Sequence, residues 1–143
     1  MSYTIMNNID YKVGIYIRLS REDEEKEKYQ ESESIGNQRT LLMQYIRQNK
    51  LNFISEYVDD GVSGTSFDRP GFNKMIADIE AGKINMVITK DLSRLGRNYV
   101  QSGLYIENYF PEHEVRFVAI LDNIDTAYDN SNNDIAPFKS ILN

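Results

Sequence analysis

At 143 residues, with 41% hydrophobic and 11% aromatic side chains, the chain can build one domain around a real core. It has no cysteine, which excludes disulfides, zinc–thiolate centres and cysteine nucleophiles, and its one histidine, His113, cannot form a metal cluster by itself. Sixteen basic against 22 acidic residues give a net charge of −6, whereas a nucleic-acid binder is expected to be basic, yet seven acids and three bases fall within residues 21–33 alone.

No apolar run approaches the roughly 18 residues of a membrane span, and no charged-then-apolar leader opens the chain. A soluble cytoplasmic protein with no membrane partner is expected. Residues 1–10 lack periodicity and read as a flexible end. Lys12 to Ser20, KVGIYIRLS, alternates as a strand: Val13, Ile15 and Ile17 take one face, Gly14, Tyr16 and Arg18 the other. Ser20 falls at the strand exit, where the charge-dense segment 21–33 leaves as a solvated loop. Ser34 then caps a helix reaching about Lys50, with Ile35, Leu41, Leu42, Tyr45 and Ile46 as its apolar stripe and Gln38 one turn in.

Phe53 to Val58 alternates again and predicts a second strand, followed by a long polar loop from Asp59 to Arg69. Pro70 suits the first turn of a helix capped by Asp68 or a neighbour of Arg69, carrying Phe72, Met75, Ile76 and Ile79 inward and ending at Ala81-Gly82-Lys83. Ile84 to Thr89 is apolar enough to be a central strand. Lys90 to Arg97, KDLSRLGR, concentrates positive charge directly after it. A helix over Tyr99 to Phe110, with Leu104, Ile106, Tyr109 and Phe110 as core candidates, leads to a fourth strand over Val115 to Leu121. Asp122 to Asn133 reads as a loop. Strands alternating with helices predict an α/β domain over residues 11–130, with a mostly parallel sheet of four to five strands and helices on both faces.

Tyr16, Arg18 and Ser20 are delivered to the carboxyl end of a strand, where open α/β sheets keep their chemistry. A serine hydroxyl beside a guanidinium suits attack on a phosphate, because arginine grips two phosphoryl oxygens while the hydroxyl approaches phosphorus. No histidine lies near Ser20 in sequence to act as base, which leaves an arginine or solvent to take the proton.

Tyr16-Ile17-Arg18-Leu19-Ser20, the loop with Asp60, Ser63, Gly64 and Arg69, and Ser93-Arg94-Leu95-Gly96-Arg97 together resemble the amino-terminal catalytic domain of the serine recombinases, the resolvase and invertase family. The acidic insertion before Ser34 and the wording of Asp59 to Phe72 are most similar to the large serine recombinases, the transposase and phage-integrase type. The resemblance runs from about Tyr11 to Thr126. It implies that Ser20 attacks a DNA phosphodiester to give a 5′-phosphoserine bond and a free 3′ hydroxyl, and that Arg18, Arg69, Arg94 and Arg97 bind the scissile phosphate. Tyr16, Gln38, Asp60 and Ser63 would support them through hydrogen bonds. Ser93 departs from the aspartate of many small resolvases, which puts a carboxylate role there in doubt and leaves Asp91 as a substitute. Fixed guanidinium donors can stabilise the developing phosphoryl charge, so neither a metal nor another cofactor is expected.

The resemblance also implies DNA as partner, gripped mainly by regions outside these residues, and self-association to dimers and tetramers. Residues 131–143 would begin an interface helix, with Ile135, Phe138, Ile141 and Leu142 at helical spacing. Alone, these 143 residues are expected to be monomeric or weakly associating, to bind DNA poorly and not to recombine it. Two other readings compete: a magnesium-dependent phospho-accepting signalling domain built on Asp59, Asp60 and Lys90, and a non-catalytic protein-interaction domain. Signalling domains place their paired acids after the first strand, which is not the pattern here.

Overall fold

The computed structural model describes residues 6–19, 34–61 and 69–128. Ser20, Ser63, Gly64 and Asp68, the acidic segment 21–33 and the expected interface helix from 131 lie outside the described residues.

Strand β1, Lys12–Leu19, is buried throughout after Lys12 because helices cover both of its faces. Helix α1, Ile35–Gln48, starts where Ser34 Oγ accepts from Asn37 N at 3.0 Å. It packs Leu42 and Ile46 against Val13, Ile15 and Ile17. Before β1, Asn8–Asp10 forms a 3-10 turn, and the Asn8 side chain donates to the Asn49 carbonyl at 2.8 Å, so this part of the expected flexible end is tied down.

Strand β2, Asn52–Asp60, outruns the predicted Phe53–Val58 at both ends, because β1 pairs with it from Lys12↔Asn52 to Leu19↔Asp60. The polar look of Asp59-Asp60 concealed two paired residues. Helix α2, Pro70–Glu80, carries proline at its start as expected, but its N-cap is Arg69, whose side chain makes no capping bond. It buries Phe72, Met75 and Ile79 on the face of the sheet opposite α1.

Strand β3, Met86–Thr89, lies between β1 and β4 and is wholly buried, the central place its apolar sequence predicts. A short helix α3, Leu92–Leu95, follows, then α4, Tyr99–Leu104, which widens into a π-helical turn at Tyr105–Tyr109 and closes with α5, Phe110–Glu112. Ile106 and Phe110 enter the core, but Leu104 is exposed, contrary to expectation. The wider turn shifts the phase on which a 3.6-residue spacing relies. Strand β4 covers Arg116–Ala119, shorter than predicted, and gives way to a 3-10 turn at Ile120–Asp122. Asn123, in the left-handed region at φ 57°, then reverses the chain into a two-residue strand β5, Ile124–Asp125, antiparallel to β4, where a loop was expected.

The sheet order is β2-β1-β3-β4-β5, parallel except for β5. The chain moves outward from β1 to β2, then back across β1 to β3. Right-handed crossovers therefore put α1 on one face and α2 with α4 and α5 on the other. The direction reverses between β1 and β3, and the crevice beyond the carboxyl ends of those two strands is where such sheets hold ligands.

Candidate active site

Arg18, at the end of β1, and the α3 turn that follows β3 meet across that crevice. Arg18 Nη2 donates to the Ser93 carbonyl oxygen at 2.6 Å, and Arg94 Nη1 donates to the Arg18 carbonyl oxygen at 3.1 Å. Gln38 Nε2, from the first turns of α1, donates to the same Arg18 oxygen at 3.1 Å. Three of the residues singled out by sequence are thus bound to one another, and Ser93 joins them through its backbone. Its hydroxyl instead donates to Asp91 Oδ1 at 2.5 Å. The α3 turn is held in place because Leu92 N donates to Asp122 Oδ2 at 2.6 Å.

Arg69 reaches the same end of the sheet from the start of α2. Its Nη2 donates to the Leu95 carbonyl oxygen at 2.6 Å, and its guanidinium lies 5.5 Å from the Tyr16 ring centroid and 5.1 Å from that of Phe72. Arg18, Arg69 and Arg94 are 0%, 1% and 3% exposed. Taking such a cation out of water is costly, and burial lowers the Arg69 pKa from its ordinary value, opposed by Tyr16 and Asp59. A buried group of guanidiniums held by carbonyl oxygens at a crevice is suited to an anion that accepts several donors at once.

Tyr16 hydrogen-bonds through its hydroxyl to Asp59 Oδ2 at 2.7 Å. Burial raises its pKa far above the ordinary tyrosine value, against the lowering pull of Arg69, and the bond to Asp59 pushes the same way. The phenol therefore stays protonated near neutral pH, a donor and not a base. Asp59 is 3% exposed, and its two oxygens also accept from Gly71 N at 2.8 Å and Phe72 N at 2.9 Å. It supplies the cap that Arg69 does not give α2.

Asp59 is the residue that sequence reasoning missed as part of this arrangement. Had β2 been extended two residues, the two-residue period through Tyr57 would have set Asp59 on the face of Tyr16 and Arg18. Because its carboxylate is engaged by three donors from the fold, the Asp59–Asp60 pair behind the signalling-domain reading does not act as one group. Asp60 is exposed and pairs in register with Leu19, the residue before Ser20. Arg97, just past Gly96, is exposed, unlike the three buried arginines.

The family model for the Resolvase, N terminal domain, matches residues 13–142. The crystal structure of the N-terminal catalytic domain of TP901-1 integrase superposes with a TM-score of 0.77 at 25% identity, over 92% of this chain and 93% of that one. A resolvase family site-specific recombinase from Streptococcus pneumoniae gives 0.70 at 25% identity, over 93% and 86%. Among curated proteins, the uncharacterized immunity region protein 3 of Bacillus phage phi105 is 35% identical over 75 residues, 52% of this chain and 87% of its own. Among the described residues, no helix is long and apolar enough to cross a membrane. With its five-stranded, mostly parallel sheet and a family match over residues 13–142, the chain belongs to the Resolvase N-terminal domain family, the catalytic domain of the serine recombinases.

Proposed function

We propose that this domain cleaves and rejoins DNA in site-specific recombination or transposition through a covalent 5′-phosphoserine intermediate. Ser20 Oγ bonds to the scissile phosphorus while the bond from phosphorus to the 3′ oxygen breaks. The serine proton leaves to solvent, and the departing 3′ oxygen takes one up. Arg18, Arg69 and Arg94 grip the non-bridging oxygens, and Arg97 approaches from the rim. Tyr16, Gln38, Asp60, Ser63 and Ser93 support them. The phosphoserine bond keeps the energy of the broken linkage for religation.

The observation that carries this reading is the mutual hold of Arg18 and Arg94 across the β1–β3 crevice, Arg18 standing two residues before Ser20 in the chain. Fixed cationic donors lower the barrier for charge developing on equatorial phosphoryl oxygens. DNA and further copies of the protein, assembled as dimers and then tetramers, are the partners this chemistry needs, in the cytoplasm where the DNA lies.

The test is to incubate the protein carrying this domain with duplexes drawn from the DNA flanking its own gene, quench in detergent and look for protein covalently joined to 5′ ends. Ser20→Ala removes the adduct and leaves DNA binding intact. An adduct that persists in this variant means that another residue is the nucleophile.

A further inference from the structure

Asp59 lies opposite Arg18 in the parallel register of β2 on β1. Of the three donors on its carboxylate, two belong to the residues whose rings flank Arg69: the phenol of Tyr16 and the backbone N–H of Phe72. Those rings meet edge to face, with centroids 5.7 Å apart and planes at 81°, and the Arg69 guanidinium lies against both. The third donor, Gly71 N, belongs to the same first turn of α2. A Cβ on Gly71 would stand 2.9 Å from Asp59 Oδ2 and 2.8 Å from the Val58 carbonyl oxygen, so the turn closes on the carboxylate only with glycine there.

One carboxylate therefore fixes both walls of the Arg69 berth. We propose that Asp59 is a positioning residue for the phosphodiester chemistry, holding Arg69 on the site through the Tyr16 phenol and the first turn of α2. This role rests on the recombinase reading above. An ordinary helix cap needs no link to Tyr16, and serine or asparagine serves as well. Holding all three donors needs the two oxygens of a carboxylate, whereas asparagine offers one oxygen and an NH2 group that cannot accept.

The experiment compares wild type, Asp59→Asn, Tyr16→Phe and the double variant by single-turnover adduct formation at saturating DNA, by DNA affinity and by melting temperature. It also follows the Arg69 Nε–Hε resonance of the DNA-free protein. Misplacing a catalytic group by about 1 Å can cost about 100-fold, so Asp59→Asn is expected to slow adduct formation about 10- to 100-fold with affinity changed less than about threefold. In the Tyr16→Phe background the same substitution costs less, because one of its two links to Arg69, the one through the phenol, is already cut. Arg69 gains side-chain mobility in each single variant. Should Asp59→Asn not fold, Tyr16→Phe, which leaves the α2 cap in place, is judged by the Arg69 resonance alone. Independent, multiplying losses, or an Arg69 resonance as ordered in the variants as in wild type, overturns the proposal. If wild type forms no adduct while the variants loosen Arg69, the recombinase reading fails and the positioning role stands.

Discussion

Arg18 and Arg94 hold each other through main chain as well as side chain: the Arg94 guanidinium donates to the Arg18 carbonyl at 3.1 Å, and the Arg18 guanidinium to the carbonyl of Ser93, the residue before Arg94, at 2.6 Å. Each arginine therefore orients the backbone from which the other is aimed. Both side chains are buried cations, 0% and 3% exposed, and an anion bound beside them offsets the cost of taking them out of water.

Inorganic pyrophosphate should therefore stabilise the fold. At a hundred times its dissociation constant a ligand adds about 2.7 kcal/mol, enough to raise melting by several degrees in a chain of this size. Arg94→Gln should lose most of that shift. Equal shifts in wild type and variant, or the same shift from chloride at matched ionic strength, would show that no anion site exists there.

The glycines separate close packing from backbone shape. A Cβ on Gly14 would stand 2.8 Å from both Ile84 Cδ1 and Tyr57 Cε2, beneath the cross-strand contact of β1 and β2. Gly14→Ala is expected to cost about 1–3 kcal/mol in urea unfolding, as overpacking does. Gly82 has open space around it but a φ of +75° at the end of α2, so Gly82→Ala should cost about 1 kcal/mol through strain alone. Gly36, in the first turn of α1, meets nothing nearer than 3.9 Å, and Gly36→Ala should be neutral or stabilise by up to about 1 kcal/mol. A destabilised Gly36→Ala, or a harmless Gly14→Ala, would contradict the packing described.

Much of the placement of the candidate site residues was legible because strand parity is strict. The period of two in KVGIYIRL puts Tyr16 and Arg18 on one face, and the alternation of strands with helices brings the motif after β3 beside the end of β1. Asp59 was not legible as a site residue, since Asp-Asp-Gly has the composition of a turn and only its pairing with Arg18 keeps it in a strand. The roles of Ser93 and Leu95 lie in their carbonyl oxygens, which side-chain identity does not report. Leu104 failed as a core residue because the helix widens immediately after it, and β5 is too short, at two residues, to leave a periodic signal.

Tyr16 should leave a mark on alkaline stability. The unfolded chain releases this proton near the ordinary tyrosine pKa of about 10, whereas the folded state keeps it to higher pH. Above pH 10 the unfolded state therefore binds fewer protons, and stability falls as pH rises. As pH rises above 10 wild type should lose stability more steeply than Tyr16→Phe, by up to about 1.4 kcal/mol per pH unit. Parallel stability curves for the two proteins would mean that Tyr16 ionises as freely in the fold as outside it.

Arg97 differs from its three companions in exposure, and that difference can be measured on DNA. Arg18, Arg69 and Arg94 are already desolvated, so their replacement should act mainly on the rate of adduct formation once DNA is bound. An exposed arginine that meets a phosphate displaces counterions when it does so, and its loss lowers the salt dependence of binding. Arg97→Ala is therefore expected to weaken DNA binding evenly across sequences and to reduce the slope of log affinity against log salt by about 1. Arg94→Ala should change that slope much less while slowing cleavage about 100- to 1,000-fold, the usual loss for one preorganised donor. If Arg97→Ala leaves the salt slope unchanged and abolishes cleavage as Arg94→Ala does, then Arg97 turns inward on binding DNA and acts at the reacting phosphate.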